Sequence, residues 1–333
     1  MTIRTVLSAA LLSVTALAHV AFSQTPVAVP TPPPLPEGVP AFEVAQYNSF
    51  TWYGRFGLTN CAFIDTGDGV LVIDTGWTKQ DAENLKAQIK EKTKGKPVRW
   101  IVLTQTDIDS NGGIEAFLPT DATIFVHARA ADVLSGSLFR SAAGQKRPTV
   151  VGVTDQLVVN AGERRFELVA APGSAHSAYD LAILCNDNAL AFVGDLVTPG
   201  RCVNLQGAAA DPVGWLEMLD RVGKLNPAGL VASRSEPTKL VFQELEQARS
   251  YLERVVSFLG EQKAKDAAEA RVAGELSLRK LGDYCPARAD NANILALYRR
   301  MRPDGTFAPP ASAAASRPVP AMLPPPAPSQ APR

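Results

Sequence analysis

The chain has 333 residues, with 33 Lys and Arg against 33 Asp and Glu, so it carries no formal net charge. Acids and bases are interspersed and no basic stripe appears, which excludes nucleic acid as the expected partner. The length allows one large domain or two modest ones.

In chain order, residues 1–23 read as a secretory signal. Arg4 gives a small positive start, residues 6–18 an apolar run, and Ala21-Phe22-Ser23 a small-x-small cleavage site. The expected location is periplasmic or secreted. No later segment is apolar enough to span a bilayer, so no transmembrane segment is expected after signal cleavage. Residues 24–41 are proline-rich without hydrophobic period and are expected to form a semi-rigid linker. Short β-type runs follow at 42–44, 50–53, 58–65 and 70–73, separated by turn residues such as Gly67-Asp68-Gly69. A helix is predicted over Lys79–Lys92, where Ala82, Leu85 and Ile89 recur at helical spacing. A strand at 100–103 leads into a polar loop and a short helix ending at Leu118, then a strand at Thr123–His127 and a short helix at 129–134. A second strand block covers 157–159, 166–170, 181–184 and 190–193. It is followed by a helix at Pro212–Lys224, a strand at 230–232, and closing helices at 240–262, 264–281 and 291–302. The expected domain therefore spans 42–302, with 303–333 as a proline- and alanine-rich disordered tail. Two strand blocks, each followed by helices, predict two sheets face to face with helices outside.

Four cysteines in an exported chain permit disulfides. Cys61 and Cys185 lie in strand-like runs and read as buried thiols, whereas Cys202 and Cys285 fall in irregular segments and are the disulfide candidates. None has the spacing of a structural zinc site.

The loop after strand 100–103 reads Thr104-Gln105-Thr106-Asp107-Ile108-Asp109-Ser110-Asn111-Gly112-Gly113. It resembles the Thr-His-x-His-x-Asp-His-x-Gly-Gly loop of the metallo-β-lactamase superfamily. Other segments resemble the same family in order: the Gly67–Gly76 hairpin with its Asp-x-Gly turn, Gly173-Ser174-Ala175-His176-Ser177-Ala178-Tyr179-Asp180, and the strand end Gly194-Asp195. Asp211-Pro212 with Trp215 and Leu216, and Ser233-Arg234-Ser235-Glu236-Pro237, complete the series. The resemblance covers roughly residues 42–240 and implies an α/β fold, a four-layer αββα sandwich with extra C-terminal helices.

The same resemblance implies metal positions, and here the sequence departs from the family. The first metal, usually held by three histidines, would meet Gln105, Asp107 and His176. The second would meet Asp109, Ser110 and Arg234, with Asp195 between them. The chain has only three histidines, and His19 lies in the signal segment. His127 is expected to be a hydrogen-bonded, partly buried ring rather than a ligand. A guanidinium stays protonated and has no lone pair to donate, so Arg234 cannot ligate. Beside carboxylates it would instead form charge-assisted bonds.

Three readings of the site follow. In the favoured one no metal is bound, and Ser110 and Arg234 mark a pocket in which positive charge has replaced a cation. In the second, one altered metal (zinc, manganese or iron) is held by Asp107, Asp109, His176 and Asp195, with Gln105 as a weak donor and Asp109 as catalytic carboxylate. A dinuclear zinc centre is the least favoured. The surviving residues also have a plain structural explanation. Asp109 with Gly112 and Gly113 would serve loop geometry through backbone N–H bonds, and Asp74 and Gly76 would fix a turn. No nucleophile elbow offers another mechanism, because Gly173-Ser174-Ala175-His176 lacks the Gly-x-Ser-x-Gly pattern. The expected functions are a pseudo-hydrolase binding a small molecule, an active hydrolase of an ester, thioester or lactam, or an accessory protein reaching a protein partner through its proline-rich ends.

Overall fold

The computed structural model describes residues 42–57, 59–118, 120–137, 148–205, 207, 209–269, 272 and 287–307. The signal segment 1–23, the linker 24–41, most of the tail, most of the helix expected at 264–281, and Cys285 lie outside the described residues.

Seven strands form the first sheet: β1 (Phe42–Asn48), β2 (Thr51–Phe56), β3 (Thr59–Asp65), β4 (Val70–Ile73), β5 (Val98–Val102), β6 (Thr123–His127) and β7 (Thr149–Val153). They lie in sequence order. β1 to β4 make an antiparallel meander, and β4 to β7 run parallel through crossovers carrying α1 (Lys79–Lys92) and α3 (Ala128–Ser137). The second sheet holds β8 (Gln156–Ala161), β9 (Arg164–Ala170), β10 (Leu181–Cys185), β11 (Leu190–Phe192) and β12 (Gly229–Val231). All its pairs are antiparallel except β11 with β12. β7 went unforeseen because Thr149-Val150-Val151-Gly152-Val153 is brief and carries a glycine.

The period-two alternation of each strand decides which layer a side chain enters. In β3, Ala62 and Ile64 point to the interface between the sheets, whereas Cys61 and Phe63 face α1. In β10, Leu181, Ile183 and Cys185 face the same interface, and Ala182 and Leu184 face the opposite helices. Strands covered on both faces read as continuous apolar runs, as in Val70-Leu71-Val72-Ile73. The outer layer over the second sheet is α4 (Pro212–Lys224), α5 (Val241–Ala264) and α6 (Ala287–Arg300), with Trp215, Met218, Leu219, Leu252, Val255 and Leu297 in its core. The layers are therefore αββα, as the resemblance implied.

α1 begins with a capping box in which Thr78 and Asp81 exchange side-chain and backbone bonds. α4 begins at Asp211, whose carboxylate accepts from the N–H groups of Val213 and Gly214, with Pro212 at its first turn.

Just past the expected boundary at 302, Met301 and Phe307 pair as an antiparallel bridge, and Phe307 is buried in the helical layer's core. Cys202 is disulfide-bonded, while Cys61 and Cys185 are buried free thiols.

Candidate functional site

The site forms at one end of the sandwich, where loops leave the parallel strands. After β4 the chain turns through Asp74, at φ 58, and Gly76, at φ 81. The Asp74 carboxylate accepts from the Thr104 N–H at 2.8 Å and its hydroxyl at 2.7 Å, which fixes the start of the 104–113 loop. Burial pushes the Asp74 carboxyl up to about 7 despite these bonds. The backbone carbonyl of Ser110 then accepts from the N–H groups of Thr75 and Gly76. Gly112 and Gly113 are required by close approach. A Cβ on Gly112 would lie 2.0 Å from the Trp77 carbonyl, and one on Gly113 would lie 2.4 Å from the Thr75 carbonyl.

Four loops converge on one polar cluster. Arg234 lies between two carboxylates. Its Nε donates to Asp195 Oδ1 at 3.0 Å, and Nη2 donates to Asp195 Oδ2 at 3.2 Å and also to Asp109 Oδ2. Gln105, fully buried, donates from Nε2 to Asp195 Oδ2 and to Ser110 Oγ, each at 2.9 Å, and its Oε1 faces His176 Nδ1 at 2.9 Å. His176 is buried with its ring edge-on to Trp215, at a centroid distance of 5.4 Å. Asp107, on the same loop as Gln105, stands exposed.

The electrostatics follow from this arrangement. Burial works against the Asp195 carboxylate, but His176, Arg234 and the Gln105 amide outweigh it and hold its carboxyl below the usual range. Burial also opposes the Arg234 charge, and the flanking Asp195 and Asp109 more than restore it, so the guanidinium is even harder to deprotonate than usual. Asp107 is raised to about 6, first by desolvation on its protein-facing side and then by Asp109, Asp180 and Asp195, against the influence of His176. Asp180 is buried and accepts from the Ser177 N–H at 2.7 Å and hydroxyl at 2.9 Å, which ties the turn that carries His176.

The residues singled out from sequence thus meet in one place: Gln105, Asp107, Asp109, Ser110, His176, Asp195 and Arg234. His127 stands apart as a structural ring. Its Nδ1 accepts from the Arg129 N–H at 3.1 Å, and Nε2 bonds the Ala171 carbonyl at 2.9 Å. The structural explanation offered for Asp109 needs correction, because its carboxylate reaches Arg234 rather than the α2 (Ile108–Asn111) backbone. A charge-assisted pair with the guanidinium outweighs a bond from a neutral N–H donor. Two residues escaped the sequence reading. Asn60 donates to the carbonyls of Ala232 and Ser235 at 2.8 and 2.7 Å and so aims the loop bearing Arg234. Its signal was an amide inside an otherwise apolar strand. Trp215, a buried residue of α4, also forms the wall behind His176, with its indole N–H held by the Leu196 carbonyl at 2.9 Å.

A sequence model of the metallo-beta-lactamase superfamily matches residues 54–233, more than half the chain. The chain belongs to the metallo-beta-lactamase superfamily. It is similar to the 2,4-dinitroanisole O-demethylase subunit alpha of Nocardioides sp. (strain JS1661), with 25% identity over 174 residues, 52% of this chain and 52% of that protein. The chain thus spans about half the length of that curated relative. Among solved structures it is similar to a metallo-beta-lactamase from Pontibacter korlensis, with 23% identity, a TM-score of 0.54, and coverage of 64% of this chain and 99% of the other. A stereoselective inverting sec-alkylsulfatase from Pseudomonas sp. shares 17% identity at a TM-score of 0.61, covering 77% of this chain and 50% of that one. These structural likenesses show the fold.

Members of this superfamily usually bind metals, so the donor set can be tested against that expectation. Dinuclear zinc calls for several neutral imidazoles and free carboxylates. Here one imidazole reaches the cluster, the carboxylates of Asp109 and Asp195 are taken by a guanidinium, and both ends of the Gln105 amide are used. Among the described residues, no group of three or more His, Cys, Asp or Glu side chains is arranged to hold a metal ion. The residues present do not fit a dinuclear zinc centre.

Proposed function

We propose that this protein is an exported pseudo-hydrolase of the metallo-beta-lactamase superfamily, whose pocket binds a small molecule without zinc hydrolysis. The observation that supports this most directly is the Arg234 guanidinium between Asp195 and Asp109. A cation tethered to the backbone neutralises carboxylates that would otherwise repel one another at close range. It cannot supply the water activation that a zinc ion gives. Export rests on the signal pattern of residues 1–23.

The test is elemental analysis of the purified protein, followed by zinc and manganese titration. The expected result is far less than one equivalent of transition metal and no saturable binding. One tightly held equivalent accompanied by esterase or lactamase turnover would overturn the proposal.

A second reading, an active hydrolase with one non-standard metal, draws on Asp107, whose carboxyl stands exposed near His176. The similarity to a relative named as an O-demethylase subunit supports small organic substrates under either reading.

A further inference from the structure

We propose that Gln105 is a positioning residue that locks neutral His176 as its Nδ1–H tautomer, with the lone pair on Nε2. This rests on the metal-free reading of the site. The argument begins at Asp195. An ionised carboxylate only accepts, and it accepts from two neighbours, Arg234 and Gln105. The group of Gln105 that faces Asp195 must therefore be the NH2 end, which also donates to Ser110 Oγ. That orientation leaves Oε1, a pure acceptor, 2.9 Å from His176 Nδ1. His176 Nδ1 must then carry a hydrogen. The other neighbouring acceptor, Asp180 Oδ1, lies 3.9 Å away, too far for a hydrogen bond, and its oxygens are already engaged by Ser177.

A neutral imidazole with Nδ1–H has its lone pair on Nε2. Among the described residues the hydrogen bond of this ring is at Nδ1, which leaves the Nε2 lone pair outside it. Trp215 packs edge-on against the ring and keeps it from swinging away. On the other side of Gln105, Asp195 is held by Arg234, so the orientation of the amide is fixed by an ion pair and passed on to the His176 ring.

His127 supplies an internal control. The Arg129 N–H donates to its Nδ1, so the hydrogen must lie on Nε2, toward the Ala171 carbonyl. The two rings are thus opposite tautomers. The experiment is long-range 15N–1H correlation on chelator-treated, histidine-labelled protein at about pH 8.5, two units above the ordinary imidazole value. His176 is expected as Nδ1–H and His127 as Nε2–H. The variant Gln105→Leu should move His176 to the Nε2–H form while His127 stays unchanged. Where that variant does not fold, the wild-type spectrum decides alone. An Nε2–H ring at His176 in the wild-type protein overturns the tautomer assignment. Stoichiometric zinc shifting the His176 Nε2 resonance counts instead against the metal-free reading, so the two failures are separable.

Discussion

At the residue scale, Arg234 carries the largest electrostatic consequence. Removing one partner of a buried ion pair typically costs roughly 3–5 kcal/mol, because the other charge is left uncompensated. Arg234 is 32% exposed, and water screens part of that loss. Arg234→Ala should therefore destabilise the fold by about 2 kcal/mol in chemical denaturation at pH 7. Asp195 sits below the ordinary carboxylate range in the folded state, so its contribution is present above the unfolded value and fades as pH falls through the folded one. The difference between wild type and Arg234→Ala should accordingly shrink below about pH 4. A difference that persists unchanged into acid would show that packing, not charge, holds the loop. Asp74 has the opposite sign. Its carboxyl is raised to about 7 by burial, so the folded state holds a proton that the unfolded state has released. Stability from this group is fully present below about pH 4 and declines as pH rises to about 7, by about 4 kcal/mol at most at 1.36 kcal/mol per unit. Asp74→Asn removes the titration, and its stability profile should be flatter over that interval when both proteins are unfolded in urea.

At the element scale, the 104–113 loop is held from both sides. Its Thr104 end is bound by Asp74, its carbonyl at 104 accepts the Leu181 N–H at 2.8 Å, and its Ser110 carbonyl accepts from the 75–76 turn. The two glycines that end it are where the turn touches its neighbours. Gly113→Ala places a methyl 2.4 Å from the Thr75 carbonyl and 2.7 Å from Ala82 Cβ, contacts that only backbone movement can relieve. Overpacking of this kind costs about 1–3 kcal/mol. The expected outcome is a lowered melting temperature together with altered amide resonances at 75–82 and 104–113. An unperturbed Gly113→Ala protein would mean that the loop is softer than its packing implies. The presence of glycine at 112 and 113 is thus accounted for by close packing. Helix α4 was fully legible beforehand, since Asp211 and Pro212 mark its start and Trp215, Leu219 and Val222 its buried stripe. β7 was less so, because a five-residue run gives too few repeats for its period to stand out.

At the scale of the whole molecule, the layer order was readable because each layer has its own periodicity. Doubly covered strands gave apolar runs, and helices covered on one side gave amphipathic stripes, so αββα follows from pattern together with resemblance. The burial of Phe307 was not legible, because a phenylalanine flanked by proline and glycine has no period to announce it. The sequence by itself determined donor capacity: an arginine and an amide cannot act as imidazoles, whatever their coordinates, because that capacity belongs to the side chain. Only the tertiary structure decided how those substitutes pair. That Arg234 grips Asp195 and Asp109, that Gln105 turns its amide nitrogen to Asp195 and its oxygen to His176, and that Asn60 aims the Arg234 loop are matters of distances across four separate loops. Hydrogen bonds are short-ranged and directional, so residues 39 to 175 positions apart acquire partners only once the two sheets have packed and brought their loop ends together.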